Sequence, residues 1–241
     1  EKKFTVDDIK KAIFACYDND LWSPVGGFML GMPGETLKTA SESGKLLGEI
    51  AARRGVPLGI IFGHTDIRYT IPLVGTPLYE YGKQLGLVGQ NVDEEEKYLE
   101  LTSNVAGYKR YYLNFNGAPM SEVIFWDMLF FLEATRTYVK LMKGKTQDKK
   151  WTKKLEAALE LQGINPHNKA KDKNMVKIMG AAGEMLDVSF SQYFITNFLK
   201  QYIVFNKTVA KLPRFLVNPL VRFLLNIEFL IQKYIFKDNH N

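Results

Sequence analysis

Two short stretches rich in glycine and proline are the places where this sequence is best suited to bind a small molecule. The first runs Gly31-Met32-Pro33-Gly34-Glu35-Thr36, and the second runs Pro72-Leu73-Val74-Gly75-Thr76-Pro77-Leu78-Tyr79. Glycine permits backbone angles that a side chain forbids, and it lets a ligand approach the main chain closely. Small ligands of α/β proteins lie where the carboxyl end of a strand meets the N-terminus of a helix. Each stretch therefore predicts either a ligand-binding turn or an ordinary joint that binds nothing.

The elements predicted around these stretches form a run of βα units. Residues 25–30 are almost continuously apolar, which is typical of a parallel strand covered on both faces. Residues 37–53 repeat apolar positions with helical spacing, and Thr36 is a good N-cap for that helix. The other predicted elements are a helix at 5–17, strands at 58–62 and 67–73, and a helix that opens at Gly75-Thr76-Pro77. This alternation predicts an α/β fold with both stretches at the carboxyl ends of strands.

In this order and at this spacing, the two stretches resemble the radical S-adenosylmethionine (radical SAM) enzymes, and more closely the subgroup that is paired with a cobalamin-binding domain. In that family a strand ending in G-x-P-G-E-T precedes a helix, and the next strand ends in P-x-P/V-G-T-x-L-Y. The resemblance implies the C-terminal part of a partial TIM-like (β/α) barrel, followed by a mostly α-helical extension. It also implies S-adenosylmethionine and a 4Fe–4S cluster as cofactors, with cobalamin in the subgroup. The implied reaction is methyl transfer or cyclisation on an apolar substrate.

The resemblance also implies which residues lie near the cofactor, and it assigns no catalytic residue. The adenine of S-adenosylmethionine is expected to contact Gly27, Met29, Gly31, Gly34, Glu35, Leu73 and Val74. Glu35 stands one place later than the acidic residue of the family pattern, so its role is open. From position alone, we expect His64, Arg68 and Tyr69 at the mouth of the barrel, where they would meet the substrate.

The chain lacks the residues that would hold the cluster. Radical SAM enzymes bind it through a CxxxCxxC loop, and sulfur ligands are what such clusters require. Cys16 is the only cysteine, and it is predicted to be a small buried hydrophobe on the first helix. Two interpretations remain: an N-terminal half or a separate subunit supplies the cluster, or the chain is a degenerate homologue without radical chemistry. The three histidines are too scattered for a metal site.

The predicted organisation has three parts. Residues 1–90 contain the βα units, residues 91–143 contain the closure of the barrel and a long apolar helix at 121–142, and residues 144–241 form a basic helical extension. A helix over 93–101 and a strand at 108–115 are predicted in the middle part. In the extension, helices are predicted at 151–161, 174–186, 190–209 and 216–236.

Charge separates the extension from the rest of the chain. Residues 1–143 contain 16 Lys or Arg and 18 Asp or Glu, whereas residues 144–241 contain 16 and 8. The extension is expected to cap a lipid-like or tetrapyrrole-like substrate, or to lie on a membrane surface, because basic residues beside large apolar ones suit anionic lipid. Nucleic acid is disfavoured, since the lysines are spread among apolar helices. The alternative function is therefore a non-catalytic module that docks to a membrane or a protein.

The sequence shows no signal peptide and no uncharged apolar stretch long enough to span a membrane. A single cysteine fits a reducing compartment. These features predict a cytoplasmic protein that is peripheral to the membrane if the extension binds lipid.

Overall fold

The computed structural model describes residues 3–21, 27–63, 65–103, 113, 115–161, 175–179, 185–189 and 194–235. Most of these residues are α-helical. In chain order the helices are α1 Val6–Asp18, α2 Leu37–Arg54, α3 Leu58–Gly63, α4 Pro77–Gln84, α5 Val92–Ser103, α6 Met120–Leu141, α7 Lys149–Leu161, α8 Phe194–Phe198 and α9 Arg214–Ile235. The strands are β1 Gly27–Leu30, β2 Asp66–Tyr69, β3 Met175–Met179 and β4 Met185–Ser189. A π-helix covers Leu199–Val204, and a short 3-10 helix covers Val209–Lys211.

Capping residues fix the ends of the first two helices as the sequence predicts. Thr5 caps α1 and exchanges hydrogen bonds with Asp8 in a capping box. Thr36 caps α2, and its side chain accepts a hydrogen bond from the backbone N–H of Thr39 over 3.2 Å. Gly55 ends α2 in the left-handed region with φ of 76°, which glycine adopts without steric cost.

Helix α2 packs against α6 at close range because small residues line the contact. Ala40, Gly44 and Gly48 are buried on the face of α2 that meets α6. A Cβ atom at Gly44 or Gly48 would collide with the backbone carbonyls of Phe130 and Ala134. The predicted apolar stripe on this helix is confirmed, and its small residues set the distance between the two helices.

The predicted partial barrel is wrong. Strand β1 pairs in parallel with β2, and β3 pairs in antiparallel with β4, so the described residues contain two separate two-stranded pairs and no barrel. A barrel requires a closed ring of strands, eight in the TIM-like form. The fold of the described residues is mostly α-helical, with a single βαβ crossover from β1 to β2.

Two apolar segments adopt the opposite kind of secondary structure from the predicted one. Residues 58–62 were expected to be a strand but belong to α3, in which the N–H groups of Ile60 and Ile61 donate to the carbonyl of Pro57. A helix was expected over 174–186, but the residues described there, 175–179 and 185–186, belong to the antiparallel strands β3 and β4. Short apolar runs do not distinguish a strand from a buried helix by periodicity alone. The predicted strand at 108–115 lies mostly outside the described residues.

Helix α6 is the centre of the structure, since its side chains enter three hydrophobic clusters. One cluster joins it to α1, α2, α3 and α7; a second joins it to the π-helix and α9; a third joins it to the strand pair. Trp151, Leu155 and Leu159 of α7 are buried in the first cluster. Residues on both sides of the predicted boundary at 144 thus share one core, while the division into three parts stays a prediction.

The last described element of the basic extension is α9, which lies near its predicted position and contains Pro219 in its interior. Its inner face packs on α6 and α8. In the part of the chain described, no helix combines the length and the apolar character needed to cross a membrane.

Candidate functional site

The two glycine-rich turns lie side by side at the same edge of the β1–β2 pair. The strands are parallel, and the register pairs Leu30 with Tyr69 at their carboxyl ends. Just beyond, Thr70 donates to the carbonyl of Leu30 through its backbone N–H over 2.8 Å and through its hydroxyl over 3.0 Å. We call this edge, formed by residues 31–36 and 70–76, the rim.

The first turn of the rim is held by a side chain that is distant in sequence. The Asn116 side chain accepts from the backbone N–H of Gly34 over 2.7 Å and donates to the carbonyl of Met32 over 2.9 Å. Gly31 and Gly34 both have φ of 83°, a conformation that side chains disfavour. The Asn116 side chain therefore holds the first turn at two backbone groups, and the positive φ angles of Gly31 and Gly34 favour glycine at both positions.

Glu35 stabilises its own turn. Its carboxylate accepts a hydrogen bond from the Thr39 hydroxyl over 2.5 Å. Burial raises the pKa of Glu35, against hydrogen bonds from Thr39 and from the backbone N–H of Gly31 that act to lower it. The Glu35 carboxylate thus has hydrogen-bond partners within the protein and needs no ligand. Local structure accounts for a glutamate one place later than in the family pattern.

The second turn leads into α4 in the predicted way. Thr76 is the N-cap of α4, and Pro77 occupies the first turn of that helix. The Thr76 hydroxyl donates to the carbonyl of Leu73 over 2.6 Å. Gly75 has φ of 79°. The hydroxyl of Tyr98 on α5 donates to the carbonyl of Pro72 over 2.7 Å and ties this turn to the next helix.

The residues predicted to contact the cofactor are distributed around the rim with very different exposure. Met29 is 55% exposed and Leu73 is 67% exposed. Gly27 is exposed at the start of β1, far from the rim end of that strand. Val74 is partly buried against the cluster formed by Tyr79, Val88 and Leu113. The accessible apolar side chains at this edge are thus Met29, Met32 and Leu73.

The residues predicted to meet the substrate are placed differently from one another. His64 lies outside the described residues, and Arg68 is described only by its backbone, which pairs with Met29. Tyr69 is 4% exposed, and its hydroxyl donates to the carbonyl of Val123 in α6 over 2.9 Å. The ring of Tyr69 therefore supports the packing of the strand pair on α6 and has no surface left for a substrate.

The strand pair is covered on one face only among the described residues. Phe28 packs edge-on against Phe130 of α6, with ring centroids 5.0 Å apart, and Leu30 is fully buried against α2 and α6. Alternate residues of a strand point to opposite faces. Met29 therefore projects from the uncovered face of the strand pair.

Exposed apolar side chains and glycine backbone lie together at the rim, whereas the chain lacks the three cysteines that an iron–sulfur cluster loop requires. A flat base stacks on exposed apolar side chains and on backbone that carries no side chain, and both are present at this edge. Cys16 is the only cysteine of the sequence and lies on α1. Within the described ranges, no group of His, Cys, Asp and Glu is placed to hold a metal ion.

Sequence reasoning missed a second polar site, between α2, α6 and α9. A cavity of about 470 Å³ lies there, lined by apolar side chains and by Glu133, Arg214 and Asn218. Glu133 is fully buried and binds Arg214 through two hydrogen bonds of 2.8 and 2.7 Å and Arg136 through one of 2.6 Å. The spacing of Glu133 and Arg136 on one helix is visible in the sequence, but the partner from α9 is not. The role of Asn116 in holding the first turn of the rim was likewise not predicted.

Comparison with known proteins identified no relative of this chain: no family model, no curated protein and no solved structure matches it.

Proposed function

We propose that this chain supplies the adenine-facing wall of a radical SAM enzyme whose cluster is held by a separate segment or subunit. The observation that supports this most strongly is the parallel register of β1 and β2, which brings both family-like turns to one edge. Either turn alone is an ordinary joint. Their adjacency beside an uncovered strand face is what a nucleoside pocket at the end of a sheet requires.

In this proposal the chain binds and orients, and it takes no part in the chemical step itself. Met29, Met32 and Leu73 offer 55%, 38% and 67% of their surface to a base. A Cβ atom at Gly34 or Gly75 would meet no protein atom within 4 Å, so both glycines leave space beside the backbone. When bound, S-adenosylmethionine supplies the methyl or adenosyl group, and methyl transfer or cyclisation on an apolar substrate is the reaction proposed here.

The test uses methyl NMR of the intact chain labelled at methionine and titrated with S-adenosylhomocysteine. The methyl signals of Met29 and Met32 should shift in a saturable way, while that of Met128, which is fully buried in α6, should not. A half-site of this size should bind weakly, with a dissociation constant of about 1 mM. Absence of a saturable shift at Met29 and Met32 at high ligand concentration overturns the proposal.

Matched glycine variants separate binding from stability. Gly34→Ala and Gly75→Ala place a methyl group in the rim, whereas Gly144→Ala introduces the same kind of backbone strain elsewhere. All three should destabilise folding by about 1 kcal/mol. Only the first two should weaken ligand binding, by about tenfold. Equal affinity in Gly34→Ala and Gly144→Ala would mean that the rim does not contact the ligand.

A further inference from the structure

Helix α9 has a second apolar face that no described part of the protein covers. Its inner face is buried through Val217, Val221 and Leu225. The outer face carries large side chains whose positions repeat at helical spacing. These side chains are Leu216, Leu220, Phe223, Leu230 and Tyr234, exposed by 55%, 52%, 61%, 50% and 71%. We call them the outer stripe.

The segment that precedes α9 also carries exposed apolar side chains. Tyr202, Phe205 and Leu212 are 53%, 37% and 47% exposed, and Phe215 in the first turn of α9 is 74% exposed. Water-exposed aromatic and leucine side chains in such number are uncommon on a soluble surface, and a large contiguous apolar patch marks a site of interaction.

Charge shows what kind of surface suits this face. Residues 194–235 contain six Lys or Arg and a single acidic residue, Glu228. Glu228 is itself a residue of α9, and its side chain is buried and accepts hydrogen bonds from Thr196. Lys207 and Lys211 are exposed beside Phe205 and Leu212 in the chain. The segment therefore presents apolar and positively charged side chains, and no exposed acid among its described residues.

We propose that the outer stripe and the preceding basic segment lie in the surface of a membrane that contains anionic lipid. An amphipathic helix with aromatic and leucine side chains and flanking lysines lies in the plane of the interface, with its apolar side chains about 5–10 Å deep. The same face of a second copy of this chain is a poorer partner. A symmetric contact would bring like charges together, and the described residues of the face offer no exposed acid to pair with them.

The inner contacts of α9 keep the outer stripe turned outward. Arg214 bonds to Glu133 and Arg222 pairs with Glu122, so both arginines tie α9 to α6. Arg222 also lies over the ring of Phe125, 5.4 Å from its centroid. The helix is thus held on the protein by one side and leaves the opposite side for lipid.

The experiment is co-sedimentation of the intact chain with vesicles of phosphatidylcholine alone or with about 30% phosphatidylserine. Binding to the anionic vesicles should be at least about tenfold stronger and should fall with added salt. The double variant Phe223→Ser/Tyr234→Ser should lose about tenfold in affinity. Its control is Leu161→Ser/Leu85→Ser, which removes apolar side chains that are 90% and 45% exposed at the last residue of α7 and just after α4.

A charge-reversal pair tests the electrostatic part. Lys207→Glu/Lys211→Glu should weaken binding to anionic vesicles by about tenfold, whereas Lys149→Glu/Lys153→Glu changes the net charge equally on α7 and should retain most of the binding. Negligible binding to both vesicle types, or equal losses in both charge variants, overturns the proposal. So does a dimer in lipid-free sedimentation that Phe223→Ser/Tyr234→Ser converts to a monomer. None of these outcomes depends on the rim.

Discussion

Helices α6 and α9 are each 22 residues long and rich in large apolar side chains, yet the protein covers them to different extents. Every described residue of α6 from Phe125 to Arg136 is buried except Phe131, which is partly buried. Helix α9 buries one face and exposes the outer stripe. The two helices contact each other, so the difference arises from what lies on their far sides.

Apolar content alone does not determine burial in this chain. Helix α6 is enclosed because α2 approaches it through glycine and alanine on one side and α9 covers another. Helix α9 is the last element described and has neighbours on its inner side. An exposed apolar face of a helix requires a cover, and for the outer stripe of α9 that cover is lipid in our proposal.

The largest difference between the helices should appear when an aromatic ring is removed from each. Phe130→Ala in α6 deletes a fully buried ring that contacts Phe28 and Phe131 edge-on. It should lower the free energy of unfolding by about 3–5 kcal/mol. Phe223→Ala in α9 removes a ring that is 61% exposed and should change stability by less than about 0.5 kcal/mol.

Urea unfolding at neutral pH, followed by circular dichroism, measures both variants. Comparable losses of unfolding free energy in the two variants would show that the outer stripe is covered by protein in solution. The comparison between the helices would then be wrong.

A smaller effect is expected at the buried carboxylate that joins α6 to α9. Glu133→Gln removes the negative charge between Arg136 and Arg214 and leaves the Arg136 side chain, 9% exposed, without its counter-ion. Breaking a buried ion pair by removing one partner is costly. Because Arg214 is partly exposed and can be solvated, we expect Glu133→Gln to lower the free energy of unfolding by about 3 kcal/mol, at the lower end of the usual range.

The same residue gives a pH dependence with a defined sign. Burial acts to raise the pKa of Glu133, but hydrogen bonds from Arg214 and Arg136 outweigh it, so the pKa lies below its ordinary value. The stability that Glu133 contributes is present above the ordinary glutamate pKa of about 4.3 and is lost as pH falls through the lower pKa of the folded state. The difference in the free energy of unfolding between wild type and Glu133→Gln should therefore become smaller as the pH falls into the acid range. A difference in unfolding free energy that stays constant from neutral pH to about pH 3 would contradict this prediction.

The ends of several helices were predictable from nearby residues in the sequence. Thr36 caps α2 as expected, and Thr5 and Gly55 set helix ends by the same local chemistry, because caps depend on residues within one turn. Pro77 begins α4 for the same reason. Strands β1 and β2 do pair in parallel, but the connection between them contains α2 and α3, where a helix and a strand were predicted.

Long-range features were not predictable from the pattern. The apolar run 58–62 fits a strand or a buried helix equally, and its neighbours in space decide that it is α3. Without that strand, the barrel inferred from the family-like turns does not follow. At the rim, Asn116 reaches Gly34 across 82 positions, and Tyr69 points into α6 instead of toward a substrate. No single-sequence pattern contains either contact.

The smallest effect should come from the buried carboxylate of α9, which differs from its counterpart in α6 in the kind of partner it has. Both carboxylate oxygens of Glu228 accept from the backbone N–H of Thr196 over 3.1 Å, and one also accepts from the Thr196 hydroxyl. Among the described residues its hydrogen-bond partners are thus neutral, whereas Glu133 has two arginines. Glu228→Gln keeps one acceptor oxygen and leaves no cation unpaired, so it should cost only about 1–2 kcal/mol.

A double-mutant cycle checks this assignment. Thr196→Val removes the hydroxyl donor but keeps the backbone N–H, and combined with Glu228→Gln it should show a coupling energy of about 1 kcal/mol. Urea unfolding of the four proteins gives that energy. If Glu228→Gln costs as much as Glu133→Gln, then Glu228 has a charged partner in the folded protein. The two helices would then be alike in their buried charge and would differ only in the cover on their outer faces.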